Sequence, residues 1–227
     1  MRGWFITGTD TAAGKTILAA AVPAALRARG VDAIACKPVV TGLDEPPDPT
    51  WPPDHVLLAR VSECSADEVS PARFGPAVSP HLAAELAGRP LLARGLRNSV
   101  LRAGAEREVV VVEGVGGLLV PFSADYDVRA LAADLKLPVL IAARPGLGTI
   151  NHTLLTVEAA RAAGLDVAAV VLTPWPDPPG RLERSNRETI GRLGRVDVRT
   201  LPYVERPEPA LLAAAASGLP LEEWLAA

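Results

Sequence analysis

The sequence predicts an α/β protein with a mostly parallel central sheet and helices on both faces. Three apolar runs support this prediction, at residues 109–112, 138–141 and 167–172. Continuous apolar runs of this length, rich in β-branched residues, are typical of strands that are covered on both faces. Helical patterns separate the runs, and right-handed crossovers join such alternating elements into a parallel sheet.

The first elements are a strand at residues 4–7 and a helix at about 16–29. Glycine commonly ends a helix because it readily adopts a left-handed backbone, so Gly30 predicts the end of this one. Pro23 lies inside the helix and predicts a kink, because proline removes one backbone donor and clashes with the preceding turn.

A second short strand is expected at residues 33–36, and the Pro-, Asp- and Gly-rich stretch 38–53 predicts a long loop. Long loops in compact domains are usually functional or disordered. Residues 54–104 predict helical pieces interrupted by prolines. Further helices are expected at about 128–136 and 151–163.

Length and composition suit a single domain over residues 1–227, with 49% hydrophobic residues and a formal charge of -3. Balanced, interspersed charges provide no large basic face for nucleic acid or an anionic membrane, so small-molecule partners are expected. Cys36 and Cys64 have neither disulfide-scaffold nor zinc-site spacing, which favours a reducing, cytoplasmic compartment. No leader pattern and no apolar run of about 18 residues is present, so a soluble, unprocessed protein is expected.

A glycine loop, Gly-Thr-Asp-Thr-Ala-Ala-Gly-Lys-Thr at residues 8–16, follows the first strand and opens the first helix. This is the context of a phosphate-binding P-loop, although five residues rather than the general four separate Gly8 from Gly14. Its backbone N–H groups and the helix N-terminus suit an anion, and Lys15 adds charge near the β- and γ-phosphates. Thr16 is the candidate magnesium ligand. The alternative interpretation is a glycine turn that happens to carry a lysine.

Two further charged residues follow predicted strands. Glu113 comes directly after the four-valine run and precedes Gly114, as expected of a carboxylate that binds the metal of a nucleotide. Lys37, one of only three lysines, follows the strand at 33–36. Parallel strands present such residues at one edge of the sheet, where ligands bind. A surface lysine and an ordinary strand-end acid are the alternative interpretations.

With these residues assembled, the chain resembles the dethiobiotin synthetase family over most of its length. The five-residue gap in the P-loop is also found in that family. The motifs that carry the resemblance are Gly8-Thr9-Asp10-Thr11, Gly14-Lys15-Thr16, Lys37-Pro38, Asp54, Ser79-Pro80-His81, Glu113-Gly114, Gly116-Gly117 and Leu-Gly-Thr-Ile-Asn-His at 147–152.

The resemblance implies ATP-dependent closure of a cyclic urea on 7,8-diaminopelargonic acid with CO2, with Mg2+ bound to ATP or another NTP such as CTP. It implies catalytic roles for Lys37, Lys15 and Thr11, and metal binding by Thr16, Asp54 and Glu113. Substrate binding is implied for Lys37, Thr41, Gly148, Thr149 and Asn151. The implied nucleotide-binding residues are Asp10, Thr11, Ala12, Ala13, Gly14, Lys15, Thr16, Ile17, Glu113, Gly116, Thr173, Pro174 and Pro202.

In that family the helix beginning near Gly148 comes from a partner subunit, so the resemblance also implies a homodimer. The free N–H groups and the positive dipole at the N-terminus of this helix suit the distant carboxylate of the substrate. Ser79 and the two residues after it have an alternative interpretation as a turn and helix cap.

Four residues, at three places in the chain, depart from the family pattern. Thr173 and Pro174 stand near where members carry an adenine-reading Asn, which leaves the preferred base open. Ala12 replaces a frequent acid, and Asn186 stands where a carboxylate-binding tyrosine occurs.

Three other functions remain compatible with a P-loop in this fold. One is a related P-loop amidoligase, against which Lys37 and the Gly-Thr-Ile-Asn-His segment at 148–152 argue. Another is a nucleotide-switched partitioning ATPase, but such proteins usually carry a second lysine early in the loop, and none lies between Gly8 and Gly14. The third, a binding module without turnover, is disfavoured by the presence of Lys15, Thr16 and both acids.

Overall fold

Strands and helices alternate along residues 1–226, which are the residues described by the structure, a computed structural model. The strands are β1 (Gly3–Gly8), β2 (Ala33–Cys36), β3 (Val39–Val40), β4 (Ala72–Arg73), β5 (Val109–Gly117), β6 (Pro121–Ser123), β7 (Tyr126–Asp127), β8 (Val139–Ala143), β9 (Val167–Trp175) and β10 (Val198–Pro202). The helices are α1 (Lys15–Arg27), α2 (Asp54–Ser62), α3 (Ala66–Val69), α4 (Pro80–Leu86), α5 (Ala93–Ala103), α6 (Val128–Leu135), α7 (Thr149–Ala162), α8 (Arg181–Gly194), α9 (Pro209–Ala215) and α10 (Leu221–Ala226).

Six strands form the central sheet, in the order β10-β9-β8-β1-β5-β2, and every neighbouring pair is parallel. β1 lies inside the sheet, with β5 and β2 on one side and β8, β9 and β10 on the other. A parallel sheet whose strand order reverses beside a central strand opens a crevice at the carboxyl ends of its strands. The glycine loop follows β1 and therefore lies at that crevice.

Apolar side chains of β1 alternate between two cores, one on each face of the sheet. Trp4 and Ile6 belong to a core shared with α1, α2 and α9. Phe5 belongs to the opposite core, which is shared with α4 to α8. The predicted α/β class, with a parallel sheet and helices on both faces, is therefore confirmed.

Within residues 1–226, no helix has both the length and the apolar character needed to cross a membrane.

α1 carries the buried Pro23 in its interior, as the sequence suggests, and ends at Arg27 rather than at residue 29. Proline has no N–H, so it cannot donate to the carbonyl four residues earlier. The residues from Leu18 to Leu26 are all buried, and this packing supports the helix despite the missing hydrogen bond.

Several boundaries differ from those predicted. β5 continues past the valine run to Gly117, so Glu113 lies within the strand instead of directly after it. The predicted loop 38–53 includes the two-residue strand β3, which pairs with β4. β9 runs on to Trp175.

The elements from α8 onwards were not predicted. α8 is mostly polar, with Asn186, Ile190 and Gly194 as its buried residues, and so shows only a narrow apolar stripe. β10 is an edge strand in which polar residues interrupt the apolar pattern.

Candidate active site

A cavity of about 720 Å³ lies at the carboxyl edge of the sheet, where the loop after β1 meets the ends of β2 and β5. The predicted site residues that line it are Thr11, Ala12, Gly14, Lys15, Thr16, Ile17, Lys37, Thr41, Asp54, Glu113 and Gly116. The predicted P-loop, the second lysine and both predicted acids therefore share one cavity.

The glycine loop approaches the cavity in an unusual backbone conformation. Gly14 has a φ of 91° and Ala12 a φ of 54°, in the left-handed region that non-glycine residues rarely adopt. The Lys15 ammonium donates a hydrogen bond of 2.8 Å to the carbonyl oxygen of Asp10 and thereby closes the loop on itself. Burial lowers the pKa of Lys15, and the nearby positive charge of Lys37 adds to the effect, although Glu113 opposes it.

Lys37 lies between two carboxylates. Its ammonium is 2.7 Å from Oε1 of Glu113 and also forms an ion pair with Asp54. Burial disfavours the charged ammonium, but the carboxylates of Glu113 and Asp54 outweigh this and raise the pKa of Lys37. Lys37 is therefore a firmly charged cation at the cavity wall.

Glu113 is fully buried and carries one oxygen without a partner. Oε1 accepts hydrogen bonds from Lys37 and, at 2.8 Å, from the Thr16 hydroxyl. Oε2 is buried and has no hydrogen-bond partner among the described residues. Burial raises the pKa of Glu113, as does Asp54, although Lys37 opposes the shift. A buried carboxylate oxygen that has no hydrogen-bond partner is stabilised by a nearby cation.

The oxygen ligands around Thr16, Asp54 and Glu113 are of the kind that Mg2+ prefers. Residues 1–226 contain no group of three His, Cys, Asp or Glu side chains that could hold a metal ion. Mg2+ usually binds through one or two carboxylates together with substrate phosphates rather than in an all-protein cage. The residues present therefore fit a nucleotide-bound Mg2+.

Thr173 lies behind the loop instead of lining the cavity. Its side chain is buried, and a Cβ placed on Gly14 would be only 2.4 Å from its Cγ2 methyl. Pro174, by contrast, is exposed. Pro202 lies in a separate hollow of about 380 Å³ with Tyr203 and Val204. Asp10 and Ala13 belong to the loop but do not line the cavity.

The predicted carboxylate-binding residues Gly148, Thr149 and Asn151 do not line the cavity of their own chain. Gly148 precedes α7 with a φ of 91°, and Asn151 is exposed on its first turn. The Thr149 hydroxyl is 3.3 Å from that of Thr153.

Further residues near the site were not among the predicted site residues, although Ser79 and Pro80 belong to a motif that carries the resemblance. The cavity is also lined by Val40, Gly42, Ala77, Val78, Ser79, Pro80, Val115 and Val120. Ser79 is the N-cap residue of α4, and its carbonyl oxygen accepts the hydrogen bond from the N–H of Ala83, but its side chain makes no capping hydrogen bond. Asn186, which stands at the family's tyrosine position, donates instead to the carbonyl oxygens of Pro145 and Gly146.

Arg144 is a further unpredicted residue. It follows β8 at the same edge of the sheet and donates to the carbonyl oxygens of Thr11 and Ala12, both at 3.1 Å. Its position after a buried strand is the signal in the sequence that could have identified it.

The fold and the loop define a P-loop nucleotide-binding protein, and residues 2–207 match the AAA domain family model. A ParA family ATPase from Chlorobium tepidum shares the fold, with a TM-score of 0.57 at 11% identity, covering 99% of this chain and 93% of that one. The cell division ATPase MinD of Pyrococcus furiosus is comparable, with a TM-score of 0.53 at 17% identity, covering 97% and 90%. At such identities the likeness concerns the fold alone.

Curated relatives are much nearer in sequence. The chain is 45% identical over 206 residues to an ATP-dependent dethiobiotin synthetase of Anaeromyxobacter sp. strain K, covering 85% of this chain and 90% of that protein. It is 42% identical over 194 residues to the Mycobacterium sp. strain KMS synthetase, covering 84% and 83%. The Bacillus subtilis strain 168 synthetase is 36% identical over 201 residues, covering 87% and 85%. The chain belongs to the dethiobiotin synthetase family.

The close approach of Thr173 to Gly14 gives a testable coupling. Gly14→Ala is expected to weaken ATP binding, because the new methyl meets the Thr173 methyl at a strained φ. Adding Thr173→Ser removes the obstructing methyl but leaves the backbone strain, so part of the affinity returns. Titration of ATP into the two single variants and the double variant should give a coupling of about 1 kcal/mol. Strictly additive effects would contradict the packing role of Thr173.

Proposed function

We propose that this cavity is where the chain closes the cyclic urea of dethiobiotin from 7,8-diaminopelargonic acid, CO2 and a nucleoside triphosphate. As a member of its family, the chain is a ligase of biotin biosynthesis. The observation that carries the proposal is a second buried cation, Lys37, in the same cavity as the P-loop. A protein that only hydrolyses nucleotide has no evident use for it.

The reaction divides into three steps. One amine of the substrate attacks CO2, forms a C–N bond and loses a proton, which gives a carbamate. A carbamate oxygen then attacks the γ-phosphorus of the nucleotide, and the diphosphate leaves. The second amine attacks the carbonyl carbon of the phosphorylated carbamate, loses a proton, closes the five-membered urea and expels phosphate. Catalysis of this kind depends mainly on positioning and electrostatic stabilisation.

Lys37 pairs with the carbamate anion, and Lys15 stabilises the charge that builds on the transferring phosphoryl group. This division follows from their positions, because Lys15 opens α1 from the loop while Lys37 follows β2. Thr11 and Thr41 also line the cavity, and their hydroxyl groups are suited to orient the two amines.

Thr16, Asp54 and Glu113 hold the Mg2+ of the nucleotide. When bound, the ion neutralises phosphate charge at the transferring group. A bound cation would also stabilise the buried carboxylate of Glu113, whose Oε2 has no hydrogen-bond partner among the described residues. Lys37 occupies the other oxygen of Glu113 and so keeps that carboxylate oriented.

The substrate carboxylate binds at the N-terminus of α7 from a second copy of the chain. Three side chains near this helix and the loop before β6 are exposed apolar residues, namely Leu119, Leu147 and Leu155, and Leu147 is 93% exposed. Leu119 and Leu155 line one surface hollow, and exposed apolar residues that share a patch are typical of a protein interface. Asn151 and its neighbours are absent from the cavity of their own chain, which agrees with delivery by a partner.

The defining experiment measures phosphate release by the purified protein with Mg2+, bicarbonate and either ATP or CTP, with and without 7,8-diaminopelargonic acid. Release is expected to depend on the diamine, because the nucleotide reacts only with the carbamate. Comparing ATP with CTP ranks the nucleotides. Release that is indifferent to the diamine would favour a related amidoligase or a nucleotide-switched ATPase instead.

Lys37→Gln is expected to lower kcat by about 10²- to 10³-fold or more, the range for a lost electrostatic stabiliser. The Kd for ATP should change little, because the partner of Lys37 is the carbamate. Steady-state assays and direct ATP titration separate the two effects. Lys136→Gln, at the third lysine of the chain, is the control for a lost ammonium away from the cavity. Loss of ATP affinity in Lys37→Gln would contradict the assigned role.

Glu113→Ala is expected to weaken the binding of Mg2+ that supports turnover, because it removes the buried carboxylate and its free oxygen. The measurement is phosphate release across a range of Mg2+ concentrations at fixed ATP. The concentration giving half-maximal rate should rise by about tenfold or more, in line with the loss of an ion-binding carboxylate. An unchanged Mg2+ profile would remove Glu113 from the metal site.

Mixing two inactive variants tests the shared site. Lys37→Gln and Asn151→Asp are each expected to be inactive, the second because it places a negative charge against the substrate carboxylate. If α7 is supplied by the partner, random 1:1 dimers recover about a quarter of wild-type activity, because half the dimers are mixed and each has one intact site. Folded variants that form mixed dimers without recovered activity would show that each chain supplies its own helix.

A further inference from the structure

From outside the cavity, the side chain of Arg144 forms hydrogen bonds to the glycine loop. The guanidinium uses Nε to reach the carbonyl oxygen of Ala12 and Nη2 to reach that of Thr11, each at 3.1 Å. These two carbonyls belong to consecutive peptide groups. Arg144 itself is not among the residues that line the cavity.

Peptide geometry converts this contact into an effect inside the cavity. In a planar trans peptide, the C=O of one residue and the N–H of the next point in opposite directions. Fixing the carbonyls of Thr11 and Ala12 therefore fixes the N–H groups of Ala12 and Ala13 on the opposite side of the loop. Within the described chain, neither N–H donates a backbone hydrogen bond.

The loop needs such support because Ala12 adopts a φ of 54°. A left-handed backbone costs a non-glycine residue roughly 1–2 kcal/mol and persists where the surroundings over-determine it. The preceding part of the loop is tied to the same strand end, since Thr9 donates its N–H to the carbonyl of Ala142 at 3.1 Å. β8 and its following residue thus hold the loop at two points.

We infer that Arg144 is a positioning residue that pre-organises the loop to receive the nucleotide phosphates, through the peptide groups of residues 11–13. Successive backbone N–H groups held in this way form an anion-binding concavity. A lysine cannot replace the function fully, because one ammonium lacks the rigid fork that reaches two acceptors at once. This inference rests on the proposed use of the loop for nucleotide phosphates.

The test compares Arg144→Gln with Arg161→Gln in the diamine-dependent phosphate-release assay. Arg161 donates in the same manner to two consecutive carbonyls, those of Gly194 and Arg195, but on α8, and it does not line the cavity. Arg144→Gln is expected to raise the KM for the nucleotide by about tenfold, equivalent to about 1.4 kcal/mol, with kcat at saturating nucleotide within about threefold. The KM for the diamine should stay within about twofold. Arg161→Gln should leave all three parameters unchanged.

Arg144→Lys provides a second variant that preserves the charge, and its nucleotide KM is expected to lie between wild type and Arg144→Gln. An unchanged nucleotide KM in both Arg144 variants would overturn the positioning role. A fall in kcat and a rise in the diamine KM as large as the change in the nucleotide KM would also overturn it. If the wild type releases no phosphate in a diamine-dependent way, the proposed function fails and the inference with it. If the wild type turns over but the Arg144 variants do not show the expected rise in nucleotide KM, the proposed function stands and the positioning role of Arg144 fails.

Discussion

The buried Lys37 ammonium between Glu113 and Asp54 is the interaction on which the arrangement of the site depends. It joins the end of β2, the interior of β5 and the first residue of α2, three segments that are far apart in sequence. Desolvating such charges is costly, and a buried ion pair is seldom a net source of stability. Its retention beside a phosphate-binding loop is better explained by the chemistry of a cation-rich cavity.

The parallel sheet makes this cluster possible. β1, β5 and β2 are neighbours with their carboxyl ends at one edge. The glycine loop, Glu113 and Lys37 therefore lie close together at that edge. Thr16 then ties the first turn of α1 to the same carboxylate. Since one oxygen of Glu113 serves both Thr16 and Lys37, the helix, the strand and the second lysine are mechanically linked.

Residues at strand ends could be predicted from the sequence because local patterns place them there. The valine run identified β5, and the glycine loop with its flanking strand and helix identified the phosphate-binding segment. The contacts of Arg144 and Thr173 depend instead on which strands become neighbours, since both reach the loop from β8 and β9. α8 and β10 were missed because a charged helix and a polar edge strand carry weak periodic signals. Glu113 was placed after the strand because the glycines that follow it are typical of a turn, whereas β5 continues through them to Gly117.

Packing around the loop also bears on the choice of nucleotide. The Thr173 methyl is directed at Gly14, so this residue supports the loop where family members carry an asparagine suited to reading adenine. Pro174 has no backbone N–H to offer a base. Thr173 and Pro174 therefore offer a base fewer side-chain hydrogen bonds than an asparagine would. Under the proposed function, contacts from the loop to the phosphates would be common to every nucleoside triphosphate and would not distinguish one base from another.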